Sequence, residues 1–389
     1  MKRILVSTIL MLTVILGLSS ISFANENDNS GINVDRYIEE QLGKMKVDDI
    51  QKYIDEEDMI KKVDLKIYMK EVMTGKKNVL DLFDKEGIKM FLFKELKSSL
   101  KIFAIILVLA LLSSILKSLD NSFSSGAITQ ITTYVVFISM VSLTLVGFKD
   151  VFSICYTTID TMINLMQVVM PILIAFLVVM GFPITSTALN PIFLGGITFI
   201  NIIFKNFLFA SIAVAFSVLV INNLSKNIKL KKLSSFIKQI NIVTIGAMFT
   251  IYLALVSIQG LYVTTFDKFA VKTAKFAVGN FIPIVGGFVS DSVELLLSSS
   301  QLIKSVFGVV GLIVLIGICA IPVIKIISII LVYKVSAIAI EPIGEDGICN
   351  FLNEIGNLMT IMLASMIAIT IMFFVTIAIL TSIGTVSGI

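Results

Sequence analysis

The side chains that could do chemistry in this chain are three cysteines, 27 acids and a population of lysines, because histidine and tryptophan are absent. Without imidazole, Ser-His and Cys-His nucleophilic mechanisms, His-ligated zinc and His-ligated haem are all excluded. Cys155, Cys319 and Cys349 show no CxxC spacing. Cys155 and Cys319 stand in or beside apolar runs, so they read as small buried hydrophobes rather than redox or metal groups. Neither GxGxxG nor the phosphate loop GxxxxGKS/T occurs, so nothing reads as nucleotide binding or ATP hydrolysis, and no cofactor or metal site is implied. The net charge of +4 is too small and too scattered for nucleic acid.

What remains informative is polar residues inside apolar runs. Lys205, flanked by Asn201 and Asn206, is the clearest, and Lys325, three residues after Pro322, is the second. A lysine in hydrocarbon costs roughly 3 kcal/mol or more, so each should face a partner or water. One reading is a polar pathway or buried subunit contact; the other is a lysine snorkelling near a helix end. A second feature lies at residues 272–291, where an apolar stretch too short to cross upright carries Gly279, Pro283, Gly286 and Gly287. Such breakers free backbone groups that lipid cannot satisfy, which suits a re-entrant hairpin closed by Asp291 and Glu294 at i, i+3. The competing reading is an interfacial amphipathic helix with a turn. Together with Pro171, these residues outline a candidate polar seam.

The elements that must position them are membrane helices. The 389 residues are 57% hydrophobic and 15% charged, with a mean hydropathy of +0.99, against about 45–50% and about 25% in soluble domains. Residues 25–101 hold 17 acids and 15 bases, whereas residues 102–389 hold 10 and 14. The expected fold is therefore all-α: a polytopic membrane bundle behind a small polar module. Residues 1–24 read as a signal peptide, with Lys2 and Arg3, an apolar core and Ser22-Phe23-Ala24 as the cleavage site; an uncleaved anchor is the other reading. Residues 25–98 read as an exported amphipathic helical domain, with stripes at Ile38, Leu42 and Met45 and at Ile60, Val63 and Ile67. Residues 99–389 form the multi-span domain.

Seven apolar segments are expected: 100–116, 128–147, 162–181, 192–221, 242–262, 306–331 and 358–383. Gly308, Gly311, Gly317 and Ala320 in the sixth would let another helix approach closely. The basic loop with Lys226, Lys229, Lys231, Lys232 and Lys238 signals the cytoplasm, yet four crossings from an exported N-terminus would place it outside. A re-entrant 192–204 would restore parity; a basic loop facing outward is the alternative.

The run Thr273-Ala-Lys-Phe-Ala-Val-Gly-Asn-Phe-Ile-Pro-Ile-Val-Gly286, with Val256-Ser-Ile-Gln-Gly260 before it, resembles the stage III sporulation protein AE family. Pro322-x-x-Lys325, Tyr333-Lys334 and Glu341-Pro342 match too, although the family often has Gln at the position of Glu341, and Asn190-Pro191 falls in the expected order. The resemblance implies a role in endospore formation, as a multi-pass protein of the mother-cell membrane whose N-terminal domain lies outside the cytoplasm. It implies partners: other stage III sporulation membrane proteins, a forespore membrane protein, and a companion resembling secretion ATPases, together forming a channel or secretion-like complex. It carries over no catalytic residue. Self-association is a further option. The rival reading is a free-standing secondary transporter, which broken helices and midplane polar residues would suit. Against it, no internal repeat relates the halves, and Asp160 and Asp291 fall near the ends of expected spans. An intramembrane hydrolase lacks both histidine and paired acids.

Overall fold

The computed structural model describes residues 47–56, 62–73, 76–77, 97, 100–115, 126–224, 230–281, 286–343 and 346–383. The expected signal peptide and the linker after it lie outside these residues. Two short helices come first, α1 (Val47–Glu56) and α2 (Leu65–Met73). Gln51 joins them: its amide donates to the Val63 carbonyl at 2.9 Å and accepts from the Leu65 N–H at 2.7 Å. Asp64 accepts the Ile67 N–H at 3.1 Å and so caps the start of α2. The buried face of α2 is Leu65, Tyr68, Met69 and Val72. Ile67, which the periodicity assigns to an apolar stripe, is 60% exposed. Ile38, Leu42, Met45 and Ile60 lie outside the described residues.

The membrane part is helix α3 (Leu100–Ile115) followed by α4 (Gly126–Val179), α5 (Pro183–Asn201), a π-helical stretch (Ile202–Leu208), α6 (Phe209–Leu224), α7 (Lys231–Phe281), α8 (Gly286–Ile340), a 3-10 turn (Glu341–Ile343) and α9 (Asp346–Ser382). In place of seven separate segments, the described residues hold five helical runs long and apolar enough to cross a bilayer, with α3 as a shorter sixth apolar helix. The difference arises at 128–147 and 162–181, which form one unbroken helix. Residues 148–161 carry Lys149, Asp150 and Asp160 but include no glycine or proline, so the hydrogen-bond ladder runs on. Thr157 and Thr161 even fold their hydroxyls back onto the Ser153 and Thr157 carbonyls at 2.8 and 3.0 Å. The re-entrant turn expected at 192–204 is also replaced: α5, the π stretch and α6 run on as continuous helix.

α4 ends where Gly181 adopts φ 82°, a left-handed conformation that costs glycine little. The N–H groups of Gly181 and Phe182 bond back to the Val178 and Leu177 carbonyls at 3.1 and 2.8 Å, and Pro183 opens α5. α5 therefore returns antiparallel along α4, with the Ser186 hydroxyl donating to the Ile174 carbonyl at 3.4 Å.

α9 is the central element and is buried along most of its length. α8 runs antiparallel to it. Cys349 meets the Ala337 carbonyl at 3.2 Å, Lys334 meets Asn357 at 3.1 Å, and Thr370 meets Cys319 at 3.1 Å. Buried Lys304 donates to the Ile383 carbonyl. α4 and α7 run parallel to α9. Phe137 packs on Phe351 with ring centroids 5.3 Å apart, and Thr370 reaches Met162 at 3.3 Å. Lys238 pairs with Glu354, and Tyr252 shares a hydrogen bond with Thr376 at 2.7 Å. In lipid, where apolar contact between helices gains little over contact with tails, such close packing and interhelical bonds hold a bundle. The small residues of α8 serve that purpose: a Cβ on Gly308 would collide with Thr381, and one on Gly311 would sit 3.4 Å from Val169.

Candidate functional site

The most polar feature inside the bundle is an ion pair between Lys205 and Asp160, with nitrogen and oxygen 2.5 Å apart. Lys205 belongs to the π-helical stretch, where the Phe209 N–H bonds to the Phe204 carbonyl five residues back. Wide turns of this kind often occur at functional positions. Phe204 and Leu208 stay buried while the Lys205 amine reaches across to α4. The amine also stands 4.4 Å from the centre of the Tyr156 ring, one turn before Asp160. This cation–π contact adds to the ion pair. Below it, the rings of Phe148, Phe152, Phe209 and Phe216 knit α4 to α6, with Phe148 and Phe216 stacked at 4.1 Å and Phe152 edge-on to Phe209 at 5.0 Å.

Depth gives the pair its meaning. Met162, two residues beyond Asp160, touches Thr370, close to the middle of the uncharged part of α9, residues 355–382. That run rises about 41 Å, more than the hydrocarbon of a bilayer, at about 30 Å. Asp160 is thus level with the middle of the uncharged part of α9 and well inside the apolar run Tyr134–Val179, not near its end as its place between two apolar segments suggests. The pair is asymmetric: the Lys205 side chain is 12% exposed and that of Asp160 is 48% exposed. A half-exposed carboxylate at that depth needs water or a neighbouring polar group.

The other expected seam residues are spread over several helices. Pro171 is exposed on α4, inside the helix, and does not end it. Pro322 and Lys325 are half-buried within α8, and Lys325 forms no ion pair among the described residues. Gly279 is helical within α7, and Gly286, Gly287 and Asp291 belong to α8. Pro283 lies outside the described residues, so the expected hairpin turn does too. Cys155 and Cys319 are buried and Cys349 is half-buried. Sequence reasoning missed Asp160 as the partner of Lys205, 45 positions away. It also missed the Lys238–Glu354 pair and Asn241, which is fully buried with neither amide atom hydrogen-bonded among the described residues.

Comparison with known proteins adds the family. A profile described as stage III sporulation protein AE matches residues 63–384. The chain is 23% identical over 294 residues to stage III sporulation protein AE of Bacillus subtilis (strain 168), covering 76% of this chain and 74% of that protein. No solved structure matches. The match takes in the helices α2 to α9 and the ion pair they position, so this multi-pass, all-α membrane protein belongs to the stage III sporulation protein AE family.

Proposed function

We propose that the chain is a non-catalytic membrane subunit of the channel or secretion-like complex joining mother cell and forespore, placed in the mother-cell membrane. The observation that carries this reading is the Lys205–Asp160 pair: a polar contact level with the middle of the uncharged part of α9, whose acidic half is open on the outer face of the bundle. A bundle that acted alone in lipid would have no use for that exposure; one assembled beside other polar or water-filled elements would. Among the described residues no three His, Cys, Asp or Glu side chains gather into a metal site, and the buried cysteines hold structural positions. Work on this reading is done by partners, including a companion ATPase that supplies the energy.

The test is affinity purification of the tagged full chain from sporulating cells, solubilised in mild detergent. Companion membrane proteins of the same sporulation stage are expected in the purified complex. Lys205→Leu and Asp160→Leu are expected to reduce their recovery several-fold per amount of tagged chain recovered, and to block spore formation. A chain that purifies alone and transports a solute unaided in vesicles would instead be a carrier.

A further inference from the structure

α4 carries more than one polar residue on its open side. Ser153, Thr157, Asp160, Asn164 and Gln167 follow one another at steps of four, three, four and three, the spacing of one helix face. Ser153, Thr157, Asn164 and Gln167 are exposed, and Asp160 is the half-exposed member of the ion pair. The opposite face of the same helix is apolar and buried, with Cys155, Ile159, Met162, Met166 and Val169 against the core. The stripe runs about 21 Å along the axis. The Met162–Thr370 contact places it in the middle of the uncharged run of α9.

Elsewhere at these depths the outer surface is mostly apolar, with exposed Asn206, Ser217 and Thr250 as its polar members, the two hydroxyls bonded to their own helices. On α7, Val243 and Ile251 are 60% and 53% exposed, and Ile251 adjoins Tyr252, which bonds to Thr376 of α9. The Thr157 hydroxyl is satisfied by its own helix and could face lipid at little cost. The amides of Asn164 and Gln167 could not, since neither has a hydrogen-bond partner among the described residues. The hairpin register set by Lys205–Asp160 and Ser186–Ile174 brings Asn201 and exposed Thr198 of α5 to about the height of those two amides. The neighbouring helix thus adds polar groups at that height.

We propose that the α4 face from Ser153 to Gln167 is one wall of a water-filled path across the bilayer, while α6 and α7 face the lipid. Its chemistry is hydroxyl and amide, with the one carboxylate offset by Lys205, so it suits hydrated polar solutes rather than ions of a single sign. This deepens the channel-complex reading, from membership to a place in the wall, and rests on it only for the identity of the neighbours.

The test is thiol labelling of single-cysteine variants of the full chain, in native membranes and in proteoliposomes holding the chain alone. Ser153→Cys, Thr157→Cys, Asn164→Cys and Gln167→Cys are compared with Val243→Cys and Ile251→Cys, after replacement of the three native cysteines. A negatively charged methanethiosulfonate is the probe, and total thiol after SDS is the denominator. If the cysteine-free background fails to accumulate, the natural background serves with its own labelling subtracted. In native membranes the four stripe positions are expected to react at least tenfold faster than the two controls, with or without reaction in proteoliposomes. Stripe positions that stay unreactive in native membranes overturn the proposal. So do positions that react in proteoliposomes but are protected in native membranes, since a partner helix then covers the face, and so does equal reaction at the controls. None of these readouts depends on whether companions co-purify.

Discussion

At the residue scale, the pairing of Lys205 with Asp160 is a relation rather than two separate charges. Removing one member leaves the other uncompensated at membrane depth, which in buried pairs is strongly destabilising, whereas removing both with apolar replacements is often tolerated. Half-exposure of Asp160 moderates the effect. Lys205→Leu and Asp160→Leu are each expected to lower the thermal transition of the purified protein, and the double variant to recover part of the loss. The coupling should be about 1–3 kcal/mol in a double-mutant cycle followed by thermal denaturation in detergent. Additive losses would mean that each side chain acts alone. Lys205 was legible as an anomaly from its apolar surroundings. Asp160 was not, because its partner lies in another helix and its depth depends on a helix read as two.

At the scale of elements, close approach between helices decides which glycines matter. Gly147 of α4 faces the Tyr333 hydroxyl of α8, where an added Cβ would collide, and that hydroxyl is itself buried without a hydrogen-bond partner among the described residues. Gly147→Ala is therefore expected to cost about 1–3 kcal/mol through overpacking. Adding Tyr333→Phe should restore part of it, because the oxygen is the nearest atom while two ring carbons stay 3.1 and 3.2 Å from the new Cβ. Gly246 of α7 has open space around its Cβ position, so Gly246→Ala should be neutral or stabilising by up to about 1 kcal/mol. Chemical-denaturation or thermal midpoints of the three variants check the ordering. The small-residue run of α8 was visible in the sequence as a packing face. The Gly147–Tyr333 contact was not, since nothing local distinguishes a glycine under a tyrosine from one facing lipid.

For the whole molecule, merging two apolar segments into α4 changes the crossing count. Counting the short helix α3 as a crossing beside α4 and the α5–α6 run gives three, and on that count an N-terminus outside the cytoplasm and a basic loop inside it agree. The same end of the bundle gathers Lys238, Glu354 and Lys334, as the pairing of α7, α8 and α9 requires. Reporter fusions after residue 230 are expected to report cytoplasm, and fusions at Ile389 the opposite side after three more crossings. An external signal at 230 would reverse the arrangement.

Composition, hydropathy and the lack of histidine were enough to establish an all-α membrane protein without imidazole chemistry, and the Gly279–Gly286 region with Pro322 and Lys325 was enough for the family, because these depend on residue types and local spacing alone. Which apolar segments join, which charge meets Lys205, and which side of α4 stays open were decided only by tertiary packing. Helix continuity through residues 148–161 and contacts between positions 45 or 208 apart depend on how neighbouring helices fit, and one-dimensional periodicity carries no record of that.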